Sequence, residues 1–202
     1  TNGSSSSNYG FVFDGGSTEI LAASGPIIFN VKDVNANVDL YINHNFYIGS
    51  KAGTLVPTSS SDISILSNSF NFNSYRPYIA TTGTFTLEPV STSNSFGQDI
   101  STHWWRWNQN NQTLSGLTFG KSGGTRLINH SQNDLTVNGT VNFYGGVIDI
   151  FASLTTSGSI NLLASDYIYI EGNITITGAH QNLYLKAVDE INQLGSSTIQ
   201  TN

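Results

Sequence analysis

Between Val147 and Val188 the chain is a succession of short alternating segments, and this run constrains the fold more than any other feature. Ile148 and Ile150 flank Asp149, and Ile160 and Leu162 flank Asn161. Ile168 and Ile170 flank Tyr169, Ile174 and Ile176 flank Thr175, and Leu183 and Leu185 flank Tyr184. Period-two alternation gives each segment one apolar face, the pattern of a half-buried strand. Gly158, Gly172 and Gly178 interrupt the segments, as do Ser165-Asp166 and Val188-Asp189, and no interval leaves room for a helix. The breaks do not read as a series of two-residue hairpins either. A bend about every eight residues predicts a chain coiling round one apolar axis. The expected fold is therefore all-β: a single-stranded parallel β-helix, right-handed, with polar loop excursions.

Upstream, similar segments recur with longer polar connections. The Ser-rich start, Thr1 to Asn8, reads as a loop or frayed edge. Strands are expected at Tyr9 to Phe13, Thr18 to Ala22, Ile27 to Val31, Val38 to Ile42, Asn45 to Ile48, Ile63 to Leu66, Tyr78 to Ala80 and Thr84 to Leu87. Ser67 to Asn73 brings Phe70 and Phe72 to one side, while Leu55-Val56-Pro57 followed by Thr58 to Ser61 signals a loop. Further strands follow at Leu114 to Gly120, Thr125 to Ile128, Leu135 to Val137 and Val141 to Tyr144. The chain reads as one segment, 1–202, cut from a longer protein, with irregular rungs over 1–112 and regular ones over 113–202. Joined tail to head, Ile199 to Asn202 and Thr1-Asn2-Gly3 would repeat the strand-then-turn of Thr136 to Gly139, and neither end shows a cap. Stacking on neighbouring repeat domains, or end-to-end self-association, is the expected consequence.

Composition narrows the function. Only 10% of the 202 residues are charged, against roughly a quarter in ordinary soluble domains. Seven basic residues scattered through a chain of net charge −6 make no basic stripe, which argues against nucleic-acid binding. Without cysteine, no disulfide contributes, so stability must come from burial and ladder hydrogen bonds. No apolar run has the length of a membrane-spanning helix.

Leu117-Thr-Phe-Gly-Lys-Ser-Gly123, followed by Val137-Asn-Gly-Thr-Val-Asn-Phe-Tyr-Gly-Gly-Val-Ile-Asp-Ile150, resembles the repeats of giant secreted surface proteins of Bacteroidetes-type bacteria. These are broadly similar to filamentous-haemagglutinin-like β-helix adhesins. Phe119 stands where that family has isoleucine, and Gly139-Thr-Val-Asn-Phe143 where it has Gly-Pro-Ile-Ser-Ile. Tyr9 to Gly15 and Thr82 to Pro89 also resemble family segments. The resemblance implies a parallel β-helix, export to the bacterial cell surface, and a role in adhesion, surface filaments or motility. It carries over no catalytic residue.

The strongest local anomaly is His103-Trp104-Trp105-Arg106-Trp107, which holds all 3 tryptophans. On a strand, Trp105 and Trp107 would share one face, Trp104 and Arg106 the other. An exposed indole beside a guanidinium could stack on a sugar ring or a partner aromatic. The competing reading has the cluster capping the core under a loop, and the resembling family often has one tryptophan here. Asp33, Asp39, Asp62, Asp99, Asp134, Asp149, Asp166, Asp189 and Glu190 are spread singly and read as solvated charges that discourage aggregation. His44, His103, His130 and His180 show no metal-ligand spacing. No catalytic residue, metal site or cofactor is expected. The favoured function is a structural or adhesive segment of a large surface adhesin or filament. The alternatives are a carbohydrate-binding module built on Trp104, Trp105, Arg106, Trp107 and His103, with surface glycans as partners, and a β-helix polysaccharide-degrading enzyme.

Overall fold

The structure, a computed structural model, describes residues 9–22, 24–31, 38–53, 57, 60–73, 75–91, 93–107 (without the Trp107 side chain) and 114–202. The Ser-rich start, Asp33, most of the loop expected around Pro57 and the polar stretch Gln109 to Gln112 lie outside these residues. Among them the chain forms 23 short strands and one 3-10 turn, and every strand pairing is parallel. The protein is all-β with parallel sheets. No helix among the described residues is long and apolar enough to cross a membrane.

The strands stack in five open sheets. The largest joins Ile27–Val31, Ile63–Ser67, Thr84–Glu88, Gly116–Gly120, Thr140–Gly145, Ile160–Ala164 and Leu183–Lys186 in chain order. A second joins Ile100–Ser101, Ile128–His130, Ile148–Ile150, Tyr167–Ile170 and Glu190–Gln193. A third joins Leu135–Val137, Leu154–Thr156, Ile174–Ile176 and Ile199–Thr201. Two more serve the earlier part of the chain: Tyr9–Phe13, Val38–Ile42 and Phe70–Asn71 form one, and Thr18–Ile20, Phe46–Ile48, Tyr78–Ile79 and Arg106–Trp107 the other. The chain visits the sheets in rotation. From Thr140–Gly145 it passes to Ile148–Ile150, then to Leu154–Thr156, and returns to the first sheet at Ile160–Ala164.

Register keeps like above like. Ile128 lies beside Ile148, Ile148 beside Ile168 and Ile168 beside Ile191. Val141, Ile160 and Leu183 form a second such row, and Leu154, Ile174 and Ile199 a third. The inward alternate residues close the core: Ile148, Ile150, Ile160, Leu162, Ile168, Ile170, Ile174 and Ile176 are all buried. Full burial of such side chains contributes about 1.5–3 kcal/mol each. Leu183 and Leu185 point the same way but are only half-buried, in the last strand of that sheet among the described residues. Lower in the stack the core turns aromatic, with Phe85, Phe119 and Phe143 in successive strands and ring centroids 5.8 Å apart.

The breaks at Gly158 and Gly178 have a steric cause. A Cβ built on Gly158 would fall on the Gly139 and Thr140 backbone, and one on Gly178 would meet the Ser157 carbonyl. Neither glycine has a positive φ, so close approach between successive turns, not left-handed backbone, demands glycine here. The outer faces carry polar rows. Asn142 donates to Thr118 Oγ1 at 3.2 Å, and Asn161 donates to Asn142 Oδ1 at 2.8 Å.

Candidate binding cleft beside Trp104

The aromatic segment is not one strand. Thr102–Trp104 forms a 3-10 turn, and only Arg106–Trp107 is extended. Ser101 Oγ accepts the His103 backbone N–H at 3.4 Å and lies 3.0 Å from His103 Nδ1, holding the chain in the turn before it can continue as a strand. The face-by-face division expected for a strand therefore does not apply to Trp104 and Trp105.

The predicted site residues separate into different environments. Trp105 is 2% exposed and belongs to the core, with its ring 5.1 Å from Phe72, 5.4 Å from Phe85 and 5.9 Å from Phe70. Arg106 is exposed, and its guanidinium lies over the Tyr78 ring at 4.8 Å and donates to the Tyr78 hydroxyl. Tyr78 itself stacks on Tyr47 at 4.5 Å, so the guanidinium ends an outer aromatic row. The backbone of Trp107 pairs with Ile79, and its side chain lies outside the described residues. Trp104 and His103 both line a cleft.

That cleft has a volume of about 460 Å³, within the range of small-ligand sites. Phe72 and Trp104 form its aromatic wall, in edge-to-face contact at 6.1 Å. Asn71, Asn73 and Gln98 supply amides, and Arg76, Tyr75 and His103 complete the polar lining. Several of these groups are held by neighbours. Gln98 Oε1 accepts the Phe70 N–H at 3.1 Å, Asn71 Oδ1 accepts the Asn73 N–H at 2.9 Å, and the Tyr75 ring stacks on His44 at 5.5 Å. Burial, and then the Arg76 guanidinium, hold His103 below the ordinary histidine range, so its imidazole is neutral at pH 7. An aromatic face flanked by amides and a guanidinium can stack on an apolar sugar face and hydrogen-bond its hydroxyls. Of these groups, Phe72, Tyr75, Arg76 and Gln98 carry no motif. Phe70 and Phe72 share a side in sequence, but nothing local shows that they meet Trp104, which lies a full turn of the chain away.

No protein-family model matches this chain, and no curated protein or solved structure matches it.

The isolated carboxylates are not simply solvated. Asp62 accepts the Thr84 N–H and hydroxyl at 2.7 and 2.8 Å, Asp99 accepts the Leu127 N–H at 3.2 Å, and Asp134 accepts the Ser153 N–H at 3.0 Å. Asp39 is buried and accepts the Asn68 N–H at 2.7 Å. Each ties a bend to the next turn of the chain, a role that spacing in sequence does not reveal. The bonds from Thr84 lower the Asp62 pKa. Asp149 accepts from Asn129 Nδ2 at 3.0 Å, while burial and Glu171 raise its pKa. Among the described residues no three metal-ligating side chains come together.

His130 is the one histidine built into the core, at an inward position and 1% exposed. Its Nε2 lies 3.1 Å from the Ser153 carbonyl, which can only accept, so Nε2 carries the proton. Nδ1 then accepts from the Thr102 hydroxyl at 2.9 Å. Burial pushes the His130 pKa below its ordinary 6.5, although the Ser153 carbonyl and Asp134 oppose the shift. The unfolded chain takes up a proton near 6.5 while the folded chain resists it, so stability from this site is complete above that pH and is lost as pH falls below it. The melting temperature should therefore drop from pH 7 to pH 5, with a flatter profile in His130→Gln. Parallel profiles would show that His130 does not drive the acid sensitivity.

Proposed function

We propose that this chain is a segment of a single-stranded parallel β-helix that serves as a structural and adhesive rod in a large protein of the bacterial cell surface. The observation that carries this reading is the climbing register, in which the same three inward rows recur turn after turn with every pairing parallel. The resemblance of Leu117 to Gly123 and Val137 to Ile150 to secreted repeat adhesins supports the cellular role. The final turn supports stacking on a further rung, supplied by a neighbouring repeat segment or a second copy: Ile191, Leu194 and Ile199 are exposed at 38–43% and Val188 at 72%. The carboxylates at 62, 99 and 134 act as backbone acceptors, which favours scaffolding over polysaccharide cleavage.

The deciding experiment is surface labelling. Antibodies raised against the purified chain should label intact cells of the source organism without permeabilisation. Labelling only after permeabilisation would overturn the surface assignment.

A second reading is favoured by one observation, the cleft beside Trp104. An aromatic wall beside Asn71, Asn73 and Gln98 supports a saccharide-binding role on the side of the rod.

A further inference from the structure

We infer that the cleft beside Trp104 selects acidic saccharides, with Arg76 receiving the carboxylate of a uronic acid residue. This rests on the saccharide reading of the cleft and adds the class of sugar. The first support is charge. The chain carries net −6, yet no Asp or Glu is among the described residues lining this cleft, and its one permanent charge there is the Arg76 guanidinium. The ion pair found among the described residues, His44 with Asp14 at 3.4 Å, does not involve Arg76. Arg106 makes the contrast plain, since its guanidinium is spent on the Tyr78 ring and hydroxyl.

The second support is arrangement. Arg76 is half-buried and precedes Pro77, which biases its backbone away from the helical region toward an extended form. The Pro77 carbonyl is fixed by the Arg106 N–H at 2.8 Å, so the base of the arginine is anchored in the sheet edge. On the other side, Trp104 stands on Phe72 and His103 on Ser101. A guanidinium offers a planar fork that matches a carboxylate with two parallel hydrogen bonds, stronger than neutral ones. A neutral sugar could use the aromatic wall and the amides but would leave that fork unmatched. A uronate uses both, with its ring on Trp104 and its carboxylate on Arg76.

The test is calorimetric titration of the purified chain with a galacturonic acid trisaccharide and with its carboxyl-reduced, neutral counterpart. The acidic trisaccharide should bind about tenfold more tightly than the neutral one, the scale of one charge-assisted pair. Arg76→Gln should remove that difference, weakening the acidic sugar more than the neutral one, and Trp104→Ala should weaken both, each with the parental circular dichroism spectrum. Equal binding of the two sugars by the parent chain overturns the acidic selectivity and leaves the saccharide reading standing. Binding of neither overturns both. The parent comparison needs no variant, so a failure of Arg76→Gln to fold does not protect the inference.

Discussion

Ile170→Asp is expected to cost the fold several kcal/mol. Ile170 is 1% exposed and sits in register with Ile150 on one side and Gln193 on the other. The substitution deletes a buried branched side chain, at about 2–5 kcal/mol for the cavity alone, and places a carboxylate where nothing can pair with it. Thr175→Asp is the matching control, on the outer position between the buried Ile174 and Ile176. It should shift stability by no more than about 1 kcal/mol. Chemical denaturation of the three proteins measures both effects. Equal losses at 170 and 175 would mean that the inward assignment fails.

Trp105→Ala carries the next largest expected effect, about 3–5 kcal/mol for truncating a buried tryptophan. The indole touches Phe70, Phe72 and Phe85, which belong to three different strands or connections, so the loss spreads across successive turns of the chain. Its Nε1 is buried without a partner among the described residues. A donor in that state costs about 1–3 kcal/mol relative to a satisfied one. Trp105→Phe, which removes the donor and keeps a ring, should therefore retain much of what Trp105→Ala loses. If Trp105→Ala melts with the parent while Trp104→Ala collapses, the core and cleft roles of the two indoles are reversed.

The regular part of the core was legible because alternation is local. Asp149, Asn161, Tyr169 and Thr175 are each bracketed by apolar neighbours, and all eight of those from Ile148 to Ile176 are buried. Leu183 and Leu185 show the limit: pattern gives direction, but depth of burial depends on what else packs over the strand, since Leu135 and Val137 are buried in an end strand while Leu183 and Leu185 are only half-buried in one. The segment Thr125 to Ile128 shows another. The strand begins only at Ile128 and runs to His130, so an inward histidine takes a place that apolar counting does not assign.

The cleft was only half legible. Trp104 and His103 stand out by composition, whereas Phe72, Arg76 and Gln98 join them through inter-turn spacing that varies along the chain. Asn129 meets Asp149 across 20 residues, but Ser101 meets Ser131 across 30. The carboxylate acceptors were hidden for the same reason, because Asp62 and Thr84 are 22 apart and Asp99 and Leu127 are 28 apart. Segment 102–104 failed differently. A serine hydroxyl competes locally for the backbone and wins over strand propensity.

The uneven spacing also sets what an insertion can do here. A turn of 19 residues, as between the paired Asn142 and Asn161, and one of 28, as between the paired Ser101 and Asn129, each advance the stack by one inter-strand step of about 4.8 Å. The extra residues therefore add girth and no height. Lengthening a side loop leaves the pitch unaltered, and the rungs above and below keep their alignment. A chain organised this way can vary the chemistry on its flank while holding its axial reach constant.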